Sequence, residues 1–145
     1  DHYRILAILY DQDKRPFSAI AILDSAERQF GVNPYLGEIK RRLLLSTHQF
    51  DRALDEAKKV VESIPYEPEN HIALGEVYAL MQKDSLAESS FRRAIEIDPE
   101  NIMAWAALGE YYHRRGNTRS YLNATYNLFK IKQKIAILRY NKIRT

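Results

Sequence analysis

The chain repeats itself every 34 residues, and that period decides what it can fold into. Ala19, Ala53 and Ala87 are spaced by 34 and 34; Ala26, Val60 and Ala94 follow at the same spacing; Tyr10, Leu44, Tyr78 and Tyr112 make a third series. Three series in step describe one structural unit copied along the chain. The fullest copy runs from Pro68 to Pro99. In it His71, Leu74, Gly75 and Tyr78 fall at i, i+3, i+4 and i+7, one face of a first helix, and Ala87, Phe91 and Ala94 fall at i, i+4 and i+7 on a second. Lys83, Asp84 and Ser85 between them are polar and include helix-capping types, which predicts a tight turn. Pro99 disfavours helical geometry in Asp98 and lacks a backbone donor, so it ends the second helix. Gly75 and Ala87 are expected where the helices cross, because larger side chains would push the axes beyond the usual ~8–10 Å. Tyr78 and Phe91 fill the space beside that crossing, and Ala94 admits the next first helix, with Trp105 as filler.

The other copies depart from this one in different ways. Residues 1–33 keep Tyr3, Leu6, Ala7, Tyr10, Ala19, Leu23 and Ala26, turn at Asp13 to Pro16, and stop at Gly31 instead of proline. Residues 34–67 have a strong second helix from Phe50 to Pro65 and a poorly matched first one. Strict register would place Gly37, Lys40 and Arg41 in the core, whereas Leu36, Ile39 and Leu43 form an apolar set one residue earlier. The pattern predicts a one-residue shift there, with a longer connection before Ala53. The copy beginning at 102 opens with Trp105, Leu108, Gly109 and Tyr112, then puts Tyr121, Thr125 and Gln133 where the Ala, Phe and Pro belong. No breaker follows, so one long helix or two abutting helices are expected from about 118 to 140. The division expected is therefore 1–33, 34–67, 68–101 and 102–131, followed by a basic capping helix or tail over 132–145.

These residues resemble the tetratricopeptide repeat, a 34-residue helical hairpin with the pattern W-x2-L-G-x2-Y, A-x3-F and P. Trp105, Leu108, Gly109 and Tyr112 match its first half, and His71, Leu74, Gly75, Tyr78, Ala87, Phe91, Ala94 and Pro99 match the whole with one substitution. The resemblance covers roughly 1–131. It implies an all-α, right-handed superhelical solenoid of antiparallel helix pairs, with the first helices lining a concave groove. It also implies a scaffold or adaptor that binds an extended peptide or a helix of another protein in that groove. Carried onto this numbering, the groove positions are Arg4, Ile8 and Asp11, then Tyr35, Glu38 and Arg42, then Ile72, Glu76 and Ala79, then Met103, Ala106, Glu110 and His113. Glu38, Glu76 and Glu110 recur near one ridge, which suits a ligand with apolar anchors and a basic side chain. The family's carboxylate clamp for chaperone C-terminal tails is missing: only Arg4 keeps its charge, and Ile8, Ile39, Glu69 and Ala73 hold the other positions.

Nothing in the sequence is arranged for catalysis. His2, His48, His71 and His113 lack partners at metal-ligand spacing, so no metal or cofactor is expected. Acidic pairs such as Asp55 with Glu56, or Asp98 with Glu100, lie on solvated faces or helix ends, where they are commonplace. The glycines are isolated, so no phosphate loop exists, and Cys is absent, which excludes thiol chemistry and disulfides. An enzyme with a small-molecule substrate is therefore not expected. Net charge is +3, but residues 1–100 hold 13 basic against 18 acidic side chains, while 101–145 hold nine basic against Glu110 alone. Lys130, Lys132, Lys134, Arg139, Lys142 and Arg144 alternate with Ile131, Ile135, Ile137, Leu138 and Tyr140. That pattern fits a cap with a basic solvated face, and leaves open nucleic acid or an anionic membrane surface as partner. Self-association through an exposed terminal repeat, and service as an accessory domain of a larger enzyme or sensor, also stay open. The chain begins at Asp1, so a fragment or processed product is one reading. With no apolar run near ~20 residues, a soluble, cytoplasmic protein is the expectation, with the periplasm open.

Overall fold

A computed structural model describes residues 2–144, which form helices and short connections without any strand among them. The helices are α1 (His2–Gln12), α2 (Pro16–Phe30), α3 (Pro34–Ser46), α4 (Phe50–Ser63), α5 (Pro68–Leu80), α6 (Asp84–Ile97), α7 (Ile102–Arg114) and α8 (Thr118–Arg144). The second helices begin at 16, 50, 84 and 118, and the first helices end at 12, 46, 80 and 114, each step being 34. The sequence period is thus a period of the backbone. This corrects the shift expected in the second repeat: α3 and α4 keep strict register with α5 and α6. Gly37, Lys40 and Arg41 are buried, and Leu36 and Ile39 are not. Register follows the turns and the contacts of small residues, and the buried lysine is tolerated because it is paired, as described below.

The turns show how the period is fixed. Lys14, His48, Gln82 and Gly116, again 34 apart, have φ of 57°, 58°, 58° and 70°, the left-handed conformation that closes helix C-termini. After each comes a backbone N–H that donates back across the turn: Arg15 to Tyr10 O (2.8 Å), Gln49 to Leu44 O (2.8 Å), Lys83 to Tyr78 O (2.9 Å) and Asn117 to Tyr112 O (3.0 Å). These bonds satisfy carbonyls that a helix end otherwise leaves without partners. The turn expected at Lys83 to Ser85 falls earlier, at 81–83, with Asp84 and Ser85 already in the first turn of α6, and it is closed by the backbone, since α6 has no side-chain cap. Side-chain caps occur at Asn33 and Asn101, whose Oδ1 atoms accept from the first turns of α3 and α7.

Two compact units divide the chain, one ending at Tyr66 and the next beginning at Glu67. In the first, α2 packs on α1 and α3, and α3 on α4. In the second, α5 packs on α6 and α7, α6 on α7, and α7 on α8. Ala19, Ala53 and Ala87 are fully buried, and Phe91 is buried at the α5–α6 crossing, where a Cβ on Gly75 would lie 2.7 Å from its ring. The fourth hairpin is looser: a Cβ on Gly109 would meet only Ala124 Cβ, at 3.6 Å. α8 runs through 131/132 without a break, so the capping segment is the end of the fourth repeat's own second helix. Among the described residues, no helix is long and apolar enough to cross a membrane.

Candidate functional site

Polar chemistry inside the first unit is concentrated on Lys40. Its Nζ sits on α3 within 2.9 Å of Asp24 Oδ1 and 2.7 Å of Glu56 Oε2, and it also pairs with Glu27. Asp24 and Glu27 come from α2 and Glu56 from α4, so one ammonium ties three helices together. Arg52 and Lys59 on α4 reach the same acids, Arg52 to Asp24 at 2.9 Å and Lys59 to Glu27 at 2.7 Å. A Cβ on Gly37 would come 2.9 Å from Val60 and 3.2 Å from Glu56, so the cluster is built around its glycine. Burial alone would lower the Lys40 pKa, but hydrogen bonds to the three carboxylates outweigh it and hold the ammonium well above the ordinary lysine range. Burial likewise opposes ionisation of Asp24 and Glu27, yet Lys40 leaves both below the ordinary carboxylate range. Glu56 is the most enclosed of the acids, and burial pushes it up. With its charges matched internally, the cluster acts as a tie and not as a reactive centre.

A smaller network joins α6 to α7. Tyr112 Oη donates to Glu88 Oε1 at 2.7 Å, and Arg92 reaches both, Glu88 at 2.8 Å and Tyr112 Oη at 3.0 Å. Burial and the bond to Glu88 push the Tyr112 phenol up to about 12, while the same bond lowers Glu88. Among the described residues, no group of three or more His, Cys, Asp or Glu is arranged to hold a metal.

The residues singled out for binding lie on the first helices. In the first unit Arg4, Ile8 and Asp11 are exposed on α1, and Tyr35, Glu38 and Arg42 are exposed on α3, with Tyr35 at 78%. In the second unit Glu76 is exposed on α5, and Met103, Glu110 and His113 are exposed on α7. Ala79 and Ala106 are half-buried. Ile72 is 7% exposed and belongs to the interior of its hairpin, leaving little surface for a ligand. The first helices α5 and α7 pack directly, so Glu76 and Glu110 stand on neighbouring helices one period apart. Glu110 holds Arg114 at 2.7 Å, and the His113 ring lies 5.0 Å from that of Tyr121.

The apolar residues of α8 were expected on one face, and they occupy two. Ala124 and Ile131 are buried. Leu122, Tyr126, Phe129, Ile137, Leu138, Tyr140 and Ile143 are each more than half exposed. Lys134 pairs with Glu100 in the connection before α7, and Lys130 Nζ stands 5.5 Å over the Tyr126 ring.

Comparison with known proteins agrees with the geometry. Residues 90–120 match the family model for the tetratricopeptide repeat. A curated TPR repeat-containing protein of Dictyostelium discoideum is 32% identical over 63 residues, 41% of this chain and 24% of the relative, so the match spans about a quarter of that protein. Among solved structures, a tetratricopeptide repeat protein from Parabacteroides merdae superposes with a TM-score of 0.77 at 18% identity, over 94% of this chain and 53% of that one. MamA from Desulfovibrio magneticus gives 0.75 at 18%, over 91% and 74%. A thermophilic TPR protein from Thermus thermophilus gives 0.72 at 15%, over 91% and 74%. At these identities the structural likeness establishes the fold alone.

Proposed function

For a chain built of tetratricopeptide repeats, we propose that it serves as a protein-interaction scaffold whose first helices bind an extended peptide or a helix of a partner protein. The fold in general suits protein–protein interaction. The observation that carries the finer reading is the exposed surface of α5 and α7, where Glu76 and Glu110 recur 34 residues apart beside Met103 and His113. Rigid helices hold those groups in place before a ligand arrives, so ordering entropy is lost mainly on the ligand's side. A ridge of carboxylates beside an exposed methionine selects a segment with basic side chains and an apolar anchor. Tyr35, Glu38 and Arg42 on α3, and Arg4 and Ile8 on α1, offer a similar mixed surface in the first unit.

The test is to identify a partner by capture from the native source and then measure its affinity calorimetrically. Glu76→Lys/Glu110→Lys should weaken it at least about tenfold, equivalent to about 1.4 kcal/mol. Unchanged affinity would remove the ridge from the binding surface.

A further inference from the structure

α8 carries a seam for a second helix. Positions 122, 126, 129, 133, 136, 140 and 143 alternate spacings of four and three, the 3.5-residue repeat of helices that pair knobs into holes. Six of the seven are apolar (Leu122, Tyr126, Phe129, Ala136, Tyr140 and Ile143), Gln133 being the exception, and all seven side chains are exposed. The seam is distinct from the face that carries the buried Ala124 and Ile131. Toward its C-terminal end it borders an open hollow lined by Ala136, Tyr140 and Ile143 of the seam together with Ile135, Lys132 and Arg139 of the same helix and Ile102 at the start of α7. A partner's side chains would find a recess there in addition to a ridge.

The charges select the occupant. Among the described side chains, the charged residues flanking the seam are Lys132 and Arg139 on one side and Lys130 on the other, and the sequence of α8 contains no acidic residue from Thr118 to Arg144. Flanking positions are where paired helices exchange ion pairs, so two copies of α8 would set cation against cation. We infer that this face docks an amphipathic helix of a partner protein whose apolar stripe is bordered by Asp and Glu. The surface is separate from the first-helix ridge, which is acidic and would select the opposite charge.

The probe is a synthetic three-heptad peptide with Leu and Ile on the seam and Glu at the flanking positions, titrated into the full chain by calorimetry and anisotropy. A 1:1 complex is expected, weakened at least about tenfold (1.4 kcal/mol) by Phe129→Glu/Tyr140→Glu. It should also weaken as salt rises and be untouched by Glu76→Lys/Glu110→Lys. Phe129 and Tyr140 are each 60% exposed, so the variant should keep the helical circular dichroism of the parent. The inference is overturned if the Glu-flanked peptide fails to bind, if a Lys-flanked version binds equally well, or if Phe129→Glu/Tyr140→Glu leaves affinity intact. Two further results also overturn it. One is sedimentation showing a stable dimer that the double substitution dissolves, which would make the occupant a second copy. The other is phosphatidylserine vesicles displacing the peptide where phosphatidylcholine vesicles do not, which would make it a membrane.

Discussion

The second and third repeats have helices with the same bounds offset by 34, and opposite interiors. At equivalent buried positions the second has Lys40, Arg41, Glu56 and Ala57 where the third has Leu74, Gly75, Ser90 and Phe91. In the third, bulk comes from Phe91 on the second helix and space from Gly75 on the first. The second repeat reverses this, with the large residue at 41 and the small one at 57. The charge that Lys40 brings inside is matched by Glu56 of its own hairpin and by Asp24 and Glu27 of the hairpin before it. The hairpin geometry is therefore set by helix length and by the left-handed turn, and its interior accepts either filling provided volume and charge balance.

The largest effect expected from breaking that balance is at Lys40. Lys40→Ala leaves three carboxylates facing one another in a half-enclosed site, and chemical denaturation should show a loss of about 3 kcal/mol or more. Acid should probe the same cluster. Asp24 and Glu27 titrate lower in the folded chain than in the unfolded one, so their contribution is complete above their unfolded values and is lost as pH falls through the folded ones. Glu56, raised by burial, has the opposite sign: its penalty is complete above its folded value and is relieved as pH falls through it, which blunts the start of the acid loss. Urea unfolding at stepped pH should show stability falling below about pH 4, with a flatter fall in Asp24→Asn/Glu27→Gln.

The apolar repeat should break elsewhere. Gly75→Ala drives a methyl into the Phe91 ring and should cost about 1–3 kcal/mol in thermal unfolding. Gly109→Ala in the fourth repeat meets nothing closer than 3.6 Å and should be neutral, or stabilising by up to about 1 kcal/mol through helix propensity. A change of similar size is expected at the turns. Gln82→Gly relieves a left-handed residue and should stabilise by up to about 1 kcal/mol, and Gly116→Gln should lose a similar amount.

The hairpins were legible in the sequence because they follow from the spacing of small and large apolar residues within some ten positions, whereas the missing breaker after 118 left one helix or two open and placed the end near 140, short of Arg144. The register of the second repeat was not legible. A lysine and an arginine at core positions read as a slip of the pattern, because their compensation lies on other helices: Asp24 and Glu27 precede Lys40 by 16 and 13 residues, and Glu56 follows it by 16. The available signal was Glu56 itself, a lone acid among Ala53, Ala57 and Val60 on the buried stripe of its helix. The ridge positions came from the family resemblance, which places side chains on a helix face without fixing their depth, and Ile72 is buried for that reason. The seam on α8 is present as spacing, but the same spacing fits a cap over the fourth repeat, and only the folded helix separates its buried residues Ala124 and Ile131 from its exposed ones.

The most direct test of the claim that two interiors support one hairpin is a urea double-mutant cycle that gives the second repeat the third repeat's residues: Lys40→Leu, Glu56→Ser, and both together. The account predicts that each single substitution destabilises and that the pair is at least about 2 kcal/mol more stable than the sum of the singles implies. A double variant no better than that sum would contradict it.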